Sequence, residues 1–418
     1  KFTEIYGAPN KPSDIFYFFA PGRVNFIGDH IDYCGGKVLP AAIECGTYLA
    51  ARIKPQQDAD ISMHSVNNSD AQHIIKVTIN DIRHNDEDLW ANYPKGVMLE
   101  YSKLAIELPS LELLYWGNMP IGSALSSSSS ILLATDLALQ YFCKHKHDAD
   151  DIINRKKSAL LCHRSEVSFN KVNCGTMDQA AVALGKKDKA MLLDCSSLEC
   201  QYITPNWGNY KLLIINSNKP RNLAETAYNE RREQANKVTE LAQEFFAQDK
   251  FAADNITDNP SYSPPYNPPG NLCSIKPELH QEVLEFIQTQ GGELIHKRAR
   301  HLLSESRRVE QAVEPLSAGD MATFADLLNA SQRSLRYDYE VTGYELDTLV
   351  DESMKHSGVI GARMTGGGFT GCTLTLVEEQ SVADYKEYIS KAYHKLTGLE
   401  CDFVDATPAD GVRQLILK

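Results

Sequence analysis

A run of five serines, Ser126 to Ser130, stands between a strand-like segment and a long apolar helical segment, and any fold of this chain has to accommodate it. The strand pattern covers Leu111 to Trp116, and the helical pattern continues through Phe142. A flexible Ser-rich linker is one interpretation of the run, and an over-supplied helix N-cap is another. Because a linker is not expected between two buried elements, the sequence favours a strand, polar loop and helix unit.

The residues of this loop have the chemistry of a phosphate-binding site. A Gly and Ser loop at the start of a helix offers backbone N–H groups, hydroxyls and the positive end of the helix dipole to an anion. Serine hydroxyls can also ligate Mg²⁺. The loop lacks the Gly-Lys-Ser or Gly-Lys-Thr ending of a Walker A motif and the glycine spacing of a dinucleotide-binding turn. We therefore predict a phosphate loop of a different type.

A second polar segment lies near the start of the chain, between Ala20 and Gly36. Within ten residues it places four polar functional groups, Arg23, Asp29, His30 and Asp32. Carboxylates accept hydrogen bonds from hydroxyl groups, and Arg or His donates to them, so the set suits a ligand rich in hydroxyls. A charged surface turn punctuated by glycine is the other interpretation, and the residues alone favour neither.

A third unusual segment, Gly361 to Gly371, contains three consecutive glycines between two strand-like runs. Such a run lets the backbone approach a ligand closely, whereas an ordinary hairpin needs only one or two glycines. Taken alone, this segment is a weak indication of a binding site.

Composition and charge exclude several classes of protein. The 42 Lys and Arg residues against 55 Asp and Glu residues give a net charge of -13, which disfavours a broad nucleic-acid or anionic-membrane surface. No apolar run approaches the roughly 18 residues of a membrane span. The ten cysteines are scattered without a C-x-x-C pair, so we predict reduced thiols in a cytoplasmic protein.

The order of predicted elements indicates a mixed α and β fold in more than one domain. At about 150 residues per domain, 418 residues suggest two to three domains. Strand-like runs dominate the first quarter, while helical spacing of apolar residues dominates the second half, with a boundary near residue 205. A proline-rich stretch between Asp249 and Lys276 is predicted to be a surface loop.

Read in order, these motifs resemble the galactokinase branch of the GHMP small-molecule kinase superfamily. The resemblance extends over nearly the whole chain and includes the serine loop. The other segments that carry it are Pro21–Asn25, Lys171–Gln179, Tyr228–Arg232, Tyr339–Gly343 and Met364–Phe369. The resemblance implies an α+β fold of two lobes, residues 1–205 and 206–418, with the glycine loop 365–371 in the second lobe and the active site in the cleft between them.

The implied activity is ATP-dependent phosphorylation of the C1 hydroxyl of galactose, giving galactose 1-phosphate and ADP. The resemblance assigns Asp178 as the base facing the C1 hydroxyl and places Arg23 beside it. A guanidinium in that place keeps the carboxylate ionised and steadies charge on the moving phosphoryl group. Without the resemblance, Asp178 would be interpreted as an N-cap or surface carboxylate of a short helix.

The resemblance also implies the remaining ligands. The residues that would hold sugar hydroxyls are Asp29, His30, Asp32, Gly175 and Tyr228. Those that would hold ATP are Gly122, Ser123, Ala124, Leu125, Ser126, Ser127 and Ser128, with Trp90 and Tyr93 flanking the adenine. Mg²⁺ would be held by Ser128 and Glu166, a hydroxyl and a carboxylate that leave room for water and phosphate oxygens. A Trp and a Tyr three residues apart on a helix are also consistent with plain core packing.

Four positions depart from the family pattern. Asp29 stands where the family has a Glu that is expected to hold the C6 hydroxyl, so its carboxylate is shorter by about 1.5 Å. Ala124, Lys171 and Thr370 each replace a glycine. If Ala124 or Thr370 adopts a positive φ angle, we expect a conformational cost of order 1 kcal/mol.

Two alternatives to a galactokinase are open. One is a related sugar 1-kinase acting on L-arabinose, galacturonate or N-acetylgalactosamine, which the shorter Asp29 motivates. The other is a non-catalytic sugar and ATP sensor, which the intact serine loop and the proposed base disfavour. Either way the partners are a small sugar and ATP, with no nucleic acid and no membrane, and we expect a monomer. A metal cluster at Cys143 to His147 is disfavoured, because its alternation with lysine is typical of a solvated helix end.

Overall fold

A computed structural model describes residues 1–56, 58–67, 74–120, 122–143, 152–220, 224–247 and 272–416. Its strands are β1 Phe16–Asn25, β2 Lys37–Val38, β3 Pro40–Ile53, β4 Asp60–Ser65, β5 Ile75–Thr78, β6 Leu111–Gly117, β7 Ala190–Asp194, β8 Cys200–Ile203, β9 Tyr210–Asn216, β10 Val359–Thr365, β11 Cys372–Glu378, β12 Asp402–Asp405 and β13 Arg413–Leu415. Its α-helices are α1 Phe2–Tyr6, α2 Asn92–Lys103, α3 Ser127–Phe142, α4 Ile152–Ser168, α5 Met177–Leu184, α6 Ala224–Phe246, α7 His280–Ala318, α8 Met321–Ser334, α9 Tyr344–Ser353 and α10 Val382–Thr397. This mixture confirms the predicted α+β class.

The first sheet has the order β13-β1-β3-β6-β4-β5 and carries the N-terminal polar segment on its strand β1. The last eight residues of β1 are all buried, as expected for a central strand with partners on both sides. Its antiparallel pairing with β3 shifts register between Pro21 and Gly22. A β-bulge of this kind re-aims the following side chain, and here that side chain is Arg23.

The predicted strand, polar loop and helix unit is present. Strand β6 leads into the loop, and α3 begins at Ser127 and packs on β1 and β3. A glycine at position 22 is what lets the loop lie against β1, since a Cβ there would stand 2.7 Å from the Leu125 carbonyl oxygen. The serine loop is therefore held beside the bulge that precedes Arg23.

The second sheet has the order β10-β11-β9-β12, and β10 and β11 flank the glycine segment. A smaller sheet pairs β2, β7 and β8. The spacing of apolar residues predicts two helices in this region, Glu278 to Gln288 and Leu294 to Ala312. Helix α7 is divided in agreement with this, because Gly292, with a φ of 74°, is non-helical and separates two helical stretches.

The predicted boundary between two lobes at residues 205 and 206 stays a prediction. One strand of the second predicted lobe pairs with the sheet of the first. Strand β13, near the C-terminus, pairs with β1 of the first sheet, so the last part of the chain returns to the N-terminal sheet. Most of the predicted proline-rich loop, residues 249–271, lies outside the described residues. No helix in the described part of the chain is long and apolar enough to cross a membrane.

Candidate active site

Arg23 and Asp178 meet, although one lies on strand β1 and the other in the first turn of α5. Arg23 Nε donates to Asp178 Oδ1 at 2.8 Å, and Arg23 Nη2 lies 2.7 Å from the same oxygen. The Arg23 side chain is only 4% exposed, whereas that of Asp178 is 29% exposed. The pair thus presents a carboxylate to solvent with a buried guanidinium behind it.

The same guanidinium reaches the serine loop. Arg23 Nη1 donates to the Ala124 carbonyl at 2.9 Å, and the Arg23 backbone N–H donates to the Leu125 carbonyl at 3.1 Å. The structure therefore brings together Arg23, Asp178 and the serine loop, which the sequence placed far apart. A carboxylate, a cation and the start of a helix in one place can activate a hydroxyl and hold a phosphate.

The serines of the loop divide into structural and unpartnered groups. Ser130 Oγ donates to the Ala20 carbonyl at 2.7 Å and accepts from the Thr47 backbone N–H at 3.0 Å, which fastens α3 to β1 and β3. Among the described residues, Ser126 Oγ and Ser129 Oγ are buried with no hydrogen-bond partner. Buried polar groups usually have a hydrogen-bond partner, so the unpartnered hydroxyl of Ser126 in this loop is available to a polar ligand.

Two of the three glycine replacements have left-handed backbone conformations. Ala124 has a φ of 56° and Lys171 a φ of 61°. The conformational cost expected for Ala124 therefore applies. Thr370 differs, because positive φ falls instead on its neighbours Phe369, at 61°, and Gly371, at 96°. The condition for strain is therefore met at Ala124 and is not met at Thr370.

The N-terminal polar segment places His30 in an aromatic cluster. His30 Nδ1 lies 2.9 Å from the Tyr33 hydroxyl, which in turn lies 2.7 Å from the Tyr339 hydroxyl. The ring of Tyr228 packs 5.7 Å from the His30 ring. Burial is the main cause that lowers the pKa of His30 to about 3, so the imidazole is neutral at physiological pH. Its Nε2 atom is buried without a hydrogen bond of normal geometry to any described residue.

Asp32 and Gly175 are in close contact. A Cβ on residue 175 would stand 2.0 Å from Asp32 Oδ2, so only glycine fits beside this carboxylate. Desolvation, followed by the negative charge of Asp178, raises the pKa of Asp32 to about 6. Two carboxylates thus lie near each other, one beside Arg23 and one beside Gly175.

Asp29 is oriented differently from its neighbours in this segment. Its side chain is 1% exposed and forms an ion pair with the fully buried Arg363 of β10. Its other oxygen accepts from Asn25 Nδ2 at 3.0 Å and from the Gly366 backbone N–H at 3.1 Å. Burial raises the pKa of Asp29, and the Arg363 guanidinium opposes that shift. Both carboxylate oxygens are therefore engaged within the protein, toward the glycine loop.

Glu166 of α4 lies behind the serine loop. Its carboxylate accepts from Gln179 Nε2 at 2.5 Å, and the Ser128 side chain lies close enough to oppose the rise of its pKa. Burial is the main cause that raises the pKa of Glu166 to about 7. In the described part of the chain, no three His, Cys, Asp or Glu side chains are grouped to hold a metal ion. Residues 144–147 of the disfavoured metal cluster lie outside the described residues.

Trp90 and Tyr93 lie on either side of the boundary between a short 3₁₀ turn and α2. Trp90 packs edge-on against Tyr115, with ring centroids 5.3 Å apart, and both predicted residues are partly buried against the core. The core contact predicted as the alternative is thus present, and the adenine contact stays a prediction.

Three site residues were not singled out from the sequence, namely Asn25, Tyr339 and Arg363. All three lie inside segments that carry the family resemblance or the glycine motif, so the signal was their place in those motifs. Their partners are distant in the chain, and no spacing within a motif reveals them.

Comparison with known proteins finds three family models along the chain. The galactokinase galactose-binding signature matches residues 1–53. The GHMP kinases N terminal domain matches residues 92–186, and the GHMP kinases C terminal domain matches residues 312–395.

Individual proteins are similar over almost the full length. A galactokinase of Halalkalibacterium halodurans is 40% identical over 413 residues, which cover 99% of this chain and 96% of that protein. A galactokinase of Bacillus subtilis is 36% identical, covering 99% and 97%. The crystal structure of Lactococcus lactis galactokinase complexed with galactose has a TM-score of 0.85 and 33% identity, covering 99% and 98%. A mevalonate kinase structure, with a TM-score of 0.58 and 15% identity, shares the fold.

Proposed function

Because the chain belongs to the galactokinase family of the GHMP kinases and phosphorylates the C1 hydroxyl of galactose with ATP, we propose that Asp178 and Arg23 form the reactive pair of this enzyme. The observation that carries the proposal is the hydrogen bond from Arg23 Nε to Asp178 Oδ1, at 2.8 Å. Asp178 is the more exposed partner and is free to accept a proton from a bound sugar hydroxyl.

Arg23 has two roles in this proposal. Its positive charge lies where it can neutralise negative charge that develops on the transferred phosphoryl group. Its contact with the Ala124 carbonyl keeps the guanidinium beside the loop at which the phosphates would bind. Because phosphoryl transfer has a loose transition state, positioning and charge neutralisation contribute more than proton removal.

The serine loop, residues Gly122 to Ser128, is proposed to hold the phosphates of ATP. The buried, unpartnered hydroxyl of Ser126 and the N-terminus of α3 support this role. Trp90 and Tyr93 are proposed to flank the adenine, as the family resemblance implies.

Ser128 and Glu166 are proposed to hold Mg²⁺. They bring one hydroxyl and one carboxylate together, and hard oxygen ligands of this kind suit the ion. A buried carboxylate with a pKa near 7 also gains from a cation beside it, because the cation favours the ionised form. Bound there, Mg²⁺ would neutralise charge on the phosphate oxygens.

The sugar is proposed to bind against the N-terminal polar segment. His30 Nε2 and the Asp32 carboxylate supply hydrogen-bonding groups, Gly175 leaves room for Asp32, and Tyr228 lies beside His30. The family resemblance also assigns Asp29 to the sugar, although both oxygens of its carboxylate contact other residues of the protein. We further propose that the enzyme acts as a monomer in the cytoplasm, where its ten free cysteines would stay reduced.

The proposal is tested with purified protein, ATP, Mg²⁺ and galactose. We expect release of ADP and formation of galactose 1-phosphate, and the same assay with L-arabinose, galacturonate and N-acetylgalactosamine defines the sugar preference. Turnover that is unchanged by Asp178→Asn or by chelation of Mg²⁺ would contradict the assigned reactive pair or metal site, respectively.

A further inference from the structure

A buried ion pair joins the N-terminal polar segment to the glycine loop. Asp29 and Arg363 are 334 residues apart in the chain, and their side chains are 1% and 0% exposed. Arg363 Nη1 also donates to the Phe26 carbonyl at 2.7 Å. The guanidinium thus bonds to the backbone and to a side chain of the same segment, which fixes the end of β10 against it.

Both oxygens of the Asp29 carboxylate accept hydrogen bonds where the N-terminal polar segment contacts the glycine loop. One oxygen accepts from Arg363, and the other accepts from Asn25 Nδ2 and from the Gly366 backbone N–H. A carboxylate held by three donors in a fully buried place is fixed in position. These contacts point toward the glycine loop.

Gly366 lies between the Asp29–Arg363 ion pair and the reactive pair of Arg23 and Asp178. A Cβ on Gly366 would stand 3.2 Å from the Ala124 carbonyl oxygen and 3.8 Å from Arg23 Nη2, so its backbone lies against both the serine loop and the guanidinium. A second hydrogen bond fixes the start of the glycine loop, because the Thr365 hydroxyl donates to the Asn25 carbonyl at 2.8 Å. The position of Gly366 therefore affects the position of Arg23 and Ala124.

We propose that Asp29 is a positioning residue for phosphoryl transfer, which holds the glycine loop against Arg23 and the serine loop through Arg363 and the Gly366 amide, and that it is not a ligand of the sugar. This inference rests on the proposed function of Arg23 and the serine loop. It also gives a reason for the shorter acid, because a Glu would extend the carboxylate by about 1.5 Å into a place that the three donors already fill.

The variant Asp29→Asn tests the proposal. An amide in that place turns its NH₂ group toward Arg363 or toward the donors of Asn25 and Gly366, so at least one hydrogen bond is lost in either orientation. With both substrates varied, we expect kcat to fall at least tenfold and the KM for galactose to change less than twofold. Galactose affinity measured by calorimetry without nucleotide should also stay within twofold of the wild type.

A matched control is Glu112→Gln, which breaks the ion pair between Arg52 and Glu112 of the first sheet, with side chains 5% and 12% exposed. It should lower the melting temperature and leave kcat and both KM values within twofold. If Asp29→Asn does no more than this control, the positioning role is wrong.

Two further outcomes decide the matter. If Asp29→Asn raises the galactose KM tenfold and leaves kcat unchanged, Asp29 binds the sugar and the proposal is overturned. If Asp29→Asn does not fold, Arg363→Lys keeps a cation for Asp29 while removing the planar fork, and it should lower kcat without changing galactose affinity. A tenfold loss of galactose affinity in Arg363→Lys, with kcat retained, would likewise overturn the proposal. Failure of the proposed function itself would appear as absence of ADP release by the wild type.

Discussion

Gly175 lies so close to Asp32 that a single added methyl group would stand 2.0 Å from the Asp32 carboxylate. Gly175→Ala should therefore displace Asp32 and raise the KM for galactose at least tenfold. Steady-state kinetics with galactose varied measures this effect. Gly117→Ala is the control, because a Cβ there meets its nearest atom at 3.8 Å and should leave the KM unchanged. An unaltered KM in Gly175→Ala would remove Asp32 from the sugar site.

Asp178→Asn should lower kcat by about 10²- to 10⁴-fold, the usual contribution of a general base. The amide keeps the size of the side chain but cannot take up the proton, so galactose affinity should persist. Single-turnover kinetics measures the first quantity and calorimetry the second. Asp320→Asn, at the N-cap of α8 where the side chain accepts from the Thr323 N–H, is a conservative control with unchanged kcat. A kcat of Asp178→Asn near that of the wild type would show that the carboxylate is not the base.

How far the sequence predicts the site depends on the distance between partners. The serine loop and the helix that follows it were predicted because strand, loop and helix are contiguous. The contact of Arg23 with Asp178 spans 155 residues, and only the family resemblance brought these two residues together before the structure did. The inward orientation of Asp29 depends on Arg363, which no local pattern connects to it.

The fold shows the same division between local and distant signals. Helix α10 was not predicted, although Tyr385, Ile389 and Tyr393 recur at a spacing of four and are buried, so the periodic signal was present. Strands β12 and β13 have four and three residues, too few for a period, and they exist because longer strands pair with them. Short elements of this kind follow from tertiary contacts rather than from local sequence.

Glu166 gives the folded enzyme a pH dependence whose sign follows from its raised pKa. The folded value is about 7 against an ordinary value of 4.5, so the folded state keeps a proton that the unfolded chain releases in this interval. The stability that this proton contributes is complete below pH 4.5 and is lost as the pH rises through 7. At about 1.4 kcal/mol per pKa unit, the loss amounts to about 3 kcal/mol.

The variant Glu166→Gln removes this titration while keeping an oxygen for Gln179 to bond. The melting temperature of the wild type, relative to that of Glu166→Gln, should fall as the pH is raised from about 5 to about 8 in the absence of nucleotide and Mg²⁺. Calorimetric scans of both proteins across this range measure the difference. A difference that stays constant or grows with pH would contradict the raised pKa.

The three glycine replacements give a prediction that sequence alone could not make. Ala124 and Lys171 have φ angles of 56° and 61°, which disfavour any residue with a Cβ, whereas Thr370 is not among the residues with positive φ. Relief of a left-handed backbone is worth about 1–2 kcal/mol. The added freedom of glycine in the unfolded chain removes about 0.4–1 kcal/mol of that gain.

Ala124→Gly and Lys171→Gly should therefore each raise the free energy of unfolding, by up to about 1.6 kcal/mol. Thr370→Gly should lower it, because it adds freedom to the unfolded chain without relieving strain. Denaturant titration of the three variants compares these signs directly.

Kinetics separates Ala124→Gly from Lys171→Gly. The Ala124 carbonyl accepts a hydrogen bond from Arg23 and lies close to Gly366, so added backbone freedom at Ala124 should lower kcat. Lys171 is exposed and its side chain donates to the Ser168 carbonyl, so Lys171→Gly should leave kcat unchanged. A stabilised Thr370→Gly, or a destabilised Lys171→Gly, would contradict the assignment of strain to the left-handed positions.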